Sequence, residues 1–151
     1  MGAREWFEHI REESEQLDKR KHELDEERAT LGPKGQTLGS IGGGGNTDGM
    51  ADVDALILRG QAYDLDRAKL DAEIEQATDV LYGVSGRGGL ASIRGTNDAD
   101  ILCCHYLQGM TYAEIAKRLM DDERCAHLCT VRAMRALVYI DRVGIVYLSQ
   151  I

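Results

Sequence analysis

Ile10, Leu17, Leu24 and Leu31 recur every seven residues through a stretch, Arg4 to Leu31, that contains neither proline nor glycine. Good helix formers fill the positions between them. The spacing therefore predicts one long helix with a thin apolar stripe, thickened at its start by Trp6 and Phe7. The companion heptad positions Glu13, Arg20 and Glu27 are charged, so this segment alone makes a poor two-stranded coil and needs a second apolar surface. Val53, Leu56, Ile57, Tyr63, Leu65, Leu70, Ile74, Ala77 and Leu81 supply one, with Leu56, Tyr63, Leu70 and Ala77 again seven apart. A long antiparallel helical hairpin is expected over residues 1–82, closed within one chain or exchanged between subunits.

Between the two stripes, residues 32–49 are so rich in glycine that ordering their backbone is expensive, and a flexible loop is expected there. Glycines expose amides that can bind phosphate, but no strand precedes this run and no Gly-Lys-Ser/Thr closes it, so a linker is the simpler reading. A second glycine patch, Gly83 to Gly89, ends the second helix and carries Arg87. Residues 83–96 are expected to act as a hinge, leaving residues 97–151 as a separate module.

The chain has 151 residues and a formal charge of −8. Residues 1–49 hold seven basic and eleven acidic side chains, residues 50–96 five and eight, and residues 97–151 six and seven. Non-specific attraction to nucleic acid or anionic membrane is excluded as a property of the whole chain, and DNA contact has to be local. No stretch approaches the roughly 18 apolar residues of a spanning helix, and the first residues lack the apolar centre of a signal peptide. No membrane association and a location in the cytoplasm are expected. The four cysteines, at 103, 104, 125 and 129, do not form a secreted disulfide framework. Reduced thiols are expected.

Residues 97–137 carry the most specific pattern. Asn97 can cap a helix with Asp98 and Asp100 in its first turn, and Gly109 can end it in the left-handed conformation. Thr111 and Glu114 then have capping-box spacing, which starts a second helix with Tyr112, Ile115, Ala116 and Leu119 inward and Lys117 and Arg118 outward. Asp121 or Asp122 can cap a third helix whose inward residues are Ala126, Cys129, Thr130, Ala133 and Leu137. Ala116 is small where two crossing helices must approach closely. The third helix then turns Arg124, Leu128, Val131 and Arg135 outward, flanked by His127 and Arg132. A face of that kind suits a major groove, because arginine matches guanine edges and phosphates bidentately and apolar side chains suit thymine methyls.

Leu102 to Leu119, containing Tyr106-Leu107-Gln108-Gly109-Met110-Thr111-Tyr112-Ala113-Glu114-Ile115-Ala116, followed by Arg132-Ala133-Met134-Arg135-Ala136-Leu137, resembles the DNA-binding region 4 of sigma-70-type factors. The order of acidic helices, glycine patch and helix-turn-helix resembles small sigma-like regulators encoded by bacteriophages and prophages. The resemblance covers about forty residues well. It implies an all-α fold, a helical hairpin followed by a sigma-region-4-like helix-turn-helix, and control of phage transcription. The expected partners are double-stranded DNA, host RNA polymerase or another host protein complex, and a second copy of the chain in a homodimer. The third helix, Asp122 to Leu137, is placed in the groove with Arg124, His127, Leu128, Val131, Arg132 and Arg135, while Thr111 and Lys117 touch phosphate. The turn Met120-Asp121-Asp122-Glu123 departs from the family in lacking its glycine and hydrophobic turn residue, and sets three acids beside the recognition helix.

Two other function classes fit the same sequence. One is an acidic adapter or inhibitor that binds a basic surface of a host nucleoprotein complex, with the helix-turn-helix kept as scaffold. The other is a small DNA-packaging subunit. No spacing argues for a catalytic set, so no enzyme and no cofactor are expected. Cys125 and Cys129, one helical turn apart, could share a metal, but Cys129 is wanted in the core and no Cys-x-x-Cys knuckle is present, so no metal is expected. The apolar tail from Val138 either extends the third helix to Gly144 and packs across the module or forms an interaction surface, and β-propensity also allows a short strand at 145–148.

Overall fold

The computed structural model describes the backbone of residues 1–38 and 47–151 and the side chains of residues 1–30 and 51–151. Every regular element among them is helical: α1 (Ala3–Leu38), α2 (Thr47–Tyr82), α3 (Gly89–Arg94), α4 (Thr96–Leu102), α5 (Tyr112–Met120), α6 (Ala126–Val143) and α7 (Ile145–Gln150). No helix among the described residues is long and apolar enough to cross a membrane. The expected loop at 32–49 is helical at both its ends: α1 runs on to Leu38 and α2 begins at Thr47. Extending a formed helix needs no new nucleus. Residues 39–46 of that loop lie outside the described residues.

The chain divides into two compact units, residues 15–69 and residues 1–14 with 70–151. In the first, segments of α1 and α2 pair in opposite directions. Arg20 Nη1 meets Asp66 Oδ2 at 2.8 Å, Arg67 Nη1 lies 3.7 Å from Asp18 Oδ1, and Arg59 pairs with Glu27. Leu17, Leu24 and Leu56 are buried, and Tyr63 is half-buried with the Arg20 guanidinium 5.9 Å from its ring centroid. The wider stripe expected on α2 is not covered: Val53, Ile57 and Leu65 are 40%, 51% and 66% exposed. The cause lies in α1, which offers one apolar residue per heptad and so shields only the narrow line of α2 facing it.

The second unit holds the larger core. Phe7, Ile10, Leu70, Val80, Leu81, Leu90, Ile101, Leu102, Ile115, Leu137, Ile140 and Leu148 are buried there, drawn from α1 to α7. Gly83, Gly88 and Gly89 of the glycine patch are buried, while Val84, Ser85, Gly86 and Arg87 are exposed. Gly89 adopts φ +62°, and a Cβ on it would lie 2.6 Å from the Val80 carbonyl oxygen and the Gly83 nitrogen. Gly88, also buried, donates to the Tyr82 carbonyl at 2.7 Å. Only glycine allows so close a turn after α2. Residues 83–96 also contain α3, which stands against α4 and α7. The tail forms α7 and no strand. Gly144 ends α6 at φ 100°, and α7 buries Leu148 while Val146 and Tyr147 stay exposed.

Candidate nucleic-acid interface

The segment leading into α5 is built by hydrogen bonds local in sequence. After α4, residues Cys103–Leu107 form a wider π-helical turn, with the Gln108 amide donating to the Cys103 carbonyl at 3.1 Å. Gly109 reverses the chain at φ 73°. Thr111 then caps α5: its hydroxyl accepts from the Glu114 amide, and the Glu114 carboxylate accepts from the Thr111 amide, both at 3.2 Å. This is the expected capping box. Its stop signal is unusual. Asp121 ends α5 in the left-handed conformation, φ 54°, with the Asp122 amide reaching the Ala116 carbonyl at 3.4 Å. This is a conformation that glycine favours, here held by an aspartate.

Asp122 does not cap α6 directly. It caps a short 3₁₀ turn, Glu123–Cys125, accepting from the Arg124 amide at 3.0 Å, and α6 starts at Ala126. Ile115 and Ala116 of α5 and Cys129, Ala133 and Ala136 of α6 are all fully buried. Small side chains where α5 meets α6 let the helices approach closely. Tyr112, Leu119, Ala126 and Thr130, expected inside, are half-buried. Asn97 is not the cap of α4. That place falls to Gly95, and Asn97 sits exposed in the first turn.

The residues expected to meet DNA separate into three groups. Arg124, His127, Leu128 and Arg135 are exposed and recur along one line of α6 and the turn before it. Arg124, with 91% of its side chain exposed, folds its Nε onto Asp122 Oδ1 at 3.1 Å, and this bond lowers the Asp122 carboxyl below its ordinary range. Val131 is half-buried. Arg132 is turned inward: its Nε donates to Asp98 Oδ1 at 2.8 Å, while Arg94 Nε reaches Asp98 Oδ2 at 3.1 Å. Asp98 is only 3% exposed, so both arginines neutralise a buried carboxylate and tie α3, α4 and α6 together. Arg132 is therefore removed from the set of free contacts. The Thr111 hydroxyl accepts in the capping box and keeps its proton available to donate. Lys117, largely exposed, lies 3.8 Å from Glu123.

The line continues beyond the residues expected to meet DNA. Arg142 stands seven residues beyond Arg135 on the same face of α6. With Arg94, Met134, Val138 and Tyr139 these two arginines line a groove of about 360 Å³. The Arg94 guanidinium lies 5.3 Å from the Tyr139 ring centroid. The spacing of Arg135 and Arg142 was readable in the sequence. Arg94, from α3, joins them only through the fold.

His105 is buried. The π-helical turn points it inward, where it stacks on Tyr112 at 4.0 Å between centroids and meets Tyr106 edge-on. Its Nδ1 lies 2.8 Å from the Met110 carbonyl and its Nε2 lies 2.5 Å from Arg11 Nη1. That pattern fits a neutral ring that donates from Nδ1 and accepts at Nε2. Burial, and then the Arg11 charge, lower its pKa.

All four cysteines are free thiols. Cys129 is fully buried, as a core residue should be, and burial raises its thiol pKa. Among the described residues one group of three side chains can share a metal ion, and it contains no cysteine: His9, Glu13 and Glu73. The His9–Glu13 spacing of four on a helix was visible in the sequence, whereas Glu73 comes from the other long helix.

Neither the protein-family models, nor the curated proteins, nor the solved structures include one that matches this chain.

Proposed function

We propose that the chain is a DNA-binding transcription regulator of phage type, acting as a dimer or together with RNA polymerase, with α5 and α6 as its helix-turn-helix and residues 1–82 as a helical hairpin for association. One observation carries the reading most: α6 buries one side in the core and leaves Arg124, His127, Leu128 and Arg135 open along the other. A helix with one anchored side and a basic, partly apolar free side is what a major groove accepts. The resemblance of residues 102–119 and 132–137 to sigma region 4 supports the same reading. Two of the three turn acids already face cations, Asp122 with Arg124 and Glu123 with Lys117, which softens their repulsion of phosphate.

The test is an enriched-pool selection of double-stranded DNA followed by anisotropy titration at fixed salt. Arg124→Ala with Arg135→Ala is expected to weaken binding by roughly 10- to 100-fold and to flatten its salt dependence. Arg132 is left in place because its loss would take from the buried Asp98 carboxylate one of its two arginine partners. Equal affinity in the double variant rejects the reading.

An acidic adapter remains the second reading, on a specific observation. In residues 15–69 a groove of about 540 Å³ is lined by Glu23, Glu26, Glu27 and Asp52, with Arg59 the one cation among the described residues that line it. A basic protein recovered from host lysate without DNA would favour it.

A further inference from the structure

We propose that His9, Glu13 and Glu73 form a binding site for a divalent first-row transition ion, which clamps the start of α1 to the end of α2. His9 and Glu13 are one helical turn apart, with His9 Nε2 and Glu13 Oε1 at 3.1 Å, and Glu73 comes from the other long helix. One ligand atom from each residue lies within 4.8 Å of the other two. An ion of this class holds nitrogen and oxygen ligands at about 2.0–2.2 Å, so neighbouring ligand atoms stand about 3 Å apart. The His9–Glu13 pair already has that separation, and a side-chain rotation brings Glu73 in.

Glu73 supplies the independent observation. Its Oε2 is buried from solvent without a hydrogen-bond partner. A buried carboxylate oxygen is costly to leave unpaired, and here a second carboxylate stands beside it. A dication removes both penalties at once and also takes the imidazole lone pair. One imidazole with two carboxylates suits zinc, manganese, cobalt or iron(II), and three protein ligands leave coordination positions for water. The His9 and Glu13 side chains are 43% and 39% exposed, so an ion can reach them. His22 and Glu26 repeat the His–Glu spacing on the same helix at 3.0 Å, but among the described residues no group that could hold a metal includes them. They are the internal control.

The experiment is a titration of the chelator-treated full-length chain with Co²⁺, read by visible absorption, calorimetry and thermal melting. One equivalent is expected to bind in the micromolar range, without the thiolate-to-cobalt charge-transfer band that the cysteines would give. Melting is expected to rise by roughly 5–10 °C at a hundredfold excess over Kd. His9→Gln and Glu73→Gln are each expected to weaken binding at least about tenfold, while His22→Gln leaves it unchanged. All these side chains are at least partly exposed, so the substitutions spare the core, and each variant's melting curve without metal verifies that. Saturation only at millimolar Co²⁺, a thiolate band, or equal affinity in His9→Gln and Glu73→Gln would each overturn the proposal.

Discussion

His105 shows how one side chain can couple this fold to pH. Its ring is stacked on Tyr112, donates to the Met110 carbonyl and stands against the Arg11 guanidinium, an arrangement that favours the neutral form. Its folded pKa is lowered by burial, so below the ordinary histidine pKa the unfolded chain binds a proton that the folded chain resists. The stability this provides is fully present above about pH 6.5 and is lost as pH falls through the lowered folded value. The urea midpoint is expected to drop between pH 7.5 and pH 5.5, and His105→Gln is expected to lessen that drop. An unchanged pH dependence in the variant would locate the titrating group elsewhere. Arg132 carries a related lesson. Its place on the helix suggests a base contact, yet the buried Asp98 claims it, because an unpaired carboxylate in the core costs more than an exposed arginine can return.

At the scale of the element, the α5–α6 turn combines a good start with a poor stop. The capping box at Thr111 satisfies two otherwise unpaired amide donors, whereas Asp121 holds a left-handed backbone that costs a non-glycine residue about 1–2 kcal/mol. Asp121→Gly is expected to raise the melting temperature by roughly 2–4 °C, measured by calorimetry. On the proposed function it should also strengthen DNA binding, since it removes one acid beside α6. A lower melting temperature would show that the Asp121 side chain contributes more than its backbone strain removes. The glycine patch teaches the opposite point. Composition suggests a hinge at 83–96, but Gly88 and Gly89 are packed so tightly after α2 that a Cβ has no room.

For the molecule as a whole, the apolar surface that α1 leaves uncovered is the feature with a consequence for assembly. Leu58 and Leu65, one heptad apart on α2, are 65% and 66% exposed, with Ile57 close by at 51%. Such a line is where a second copy would bury apolar area. Light scattering is expected to give a dimer at micromolar concentration, and Leu58→Glu with Leu65→Glu is expected to give a monomer. A wild-type chain that stays monomeric at every concentration removes the dimer from the proposed function.

The sequence by itself determined what depends on local order. The heptad of Ile10, Leu17 and Leu24, the Thr111–Glu114 box, the reversal at Gly109 and the inward line of Ile115, Ala116, Cys129, Ala133 and Leu137 all follow from spacing. Hydrogen bonds and helical periodicity act over a few residues. Tertiary structure decided what depends on distant partners. Arg132 turned to Asp98, His105 went inward between Arg11 and Tyr112, Arg94 joined Arg135 and Arg142, and Glu73 came to His9 and Glu13. Apart from His105 and Tyr112, which are seven positions apart, each pairing joins residues 34 or more positions apart. Which charges neutralise each other, and which stay open to a ligand, is set by burial, and burial exists only once the helices have packed.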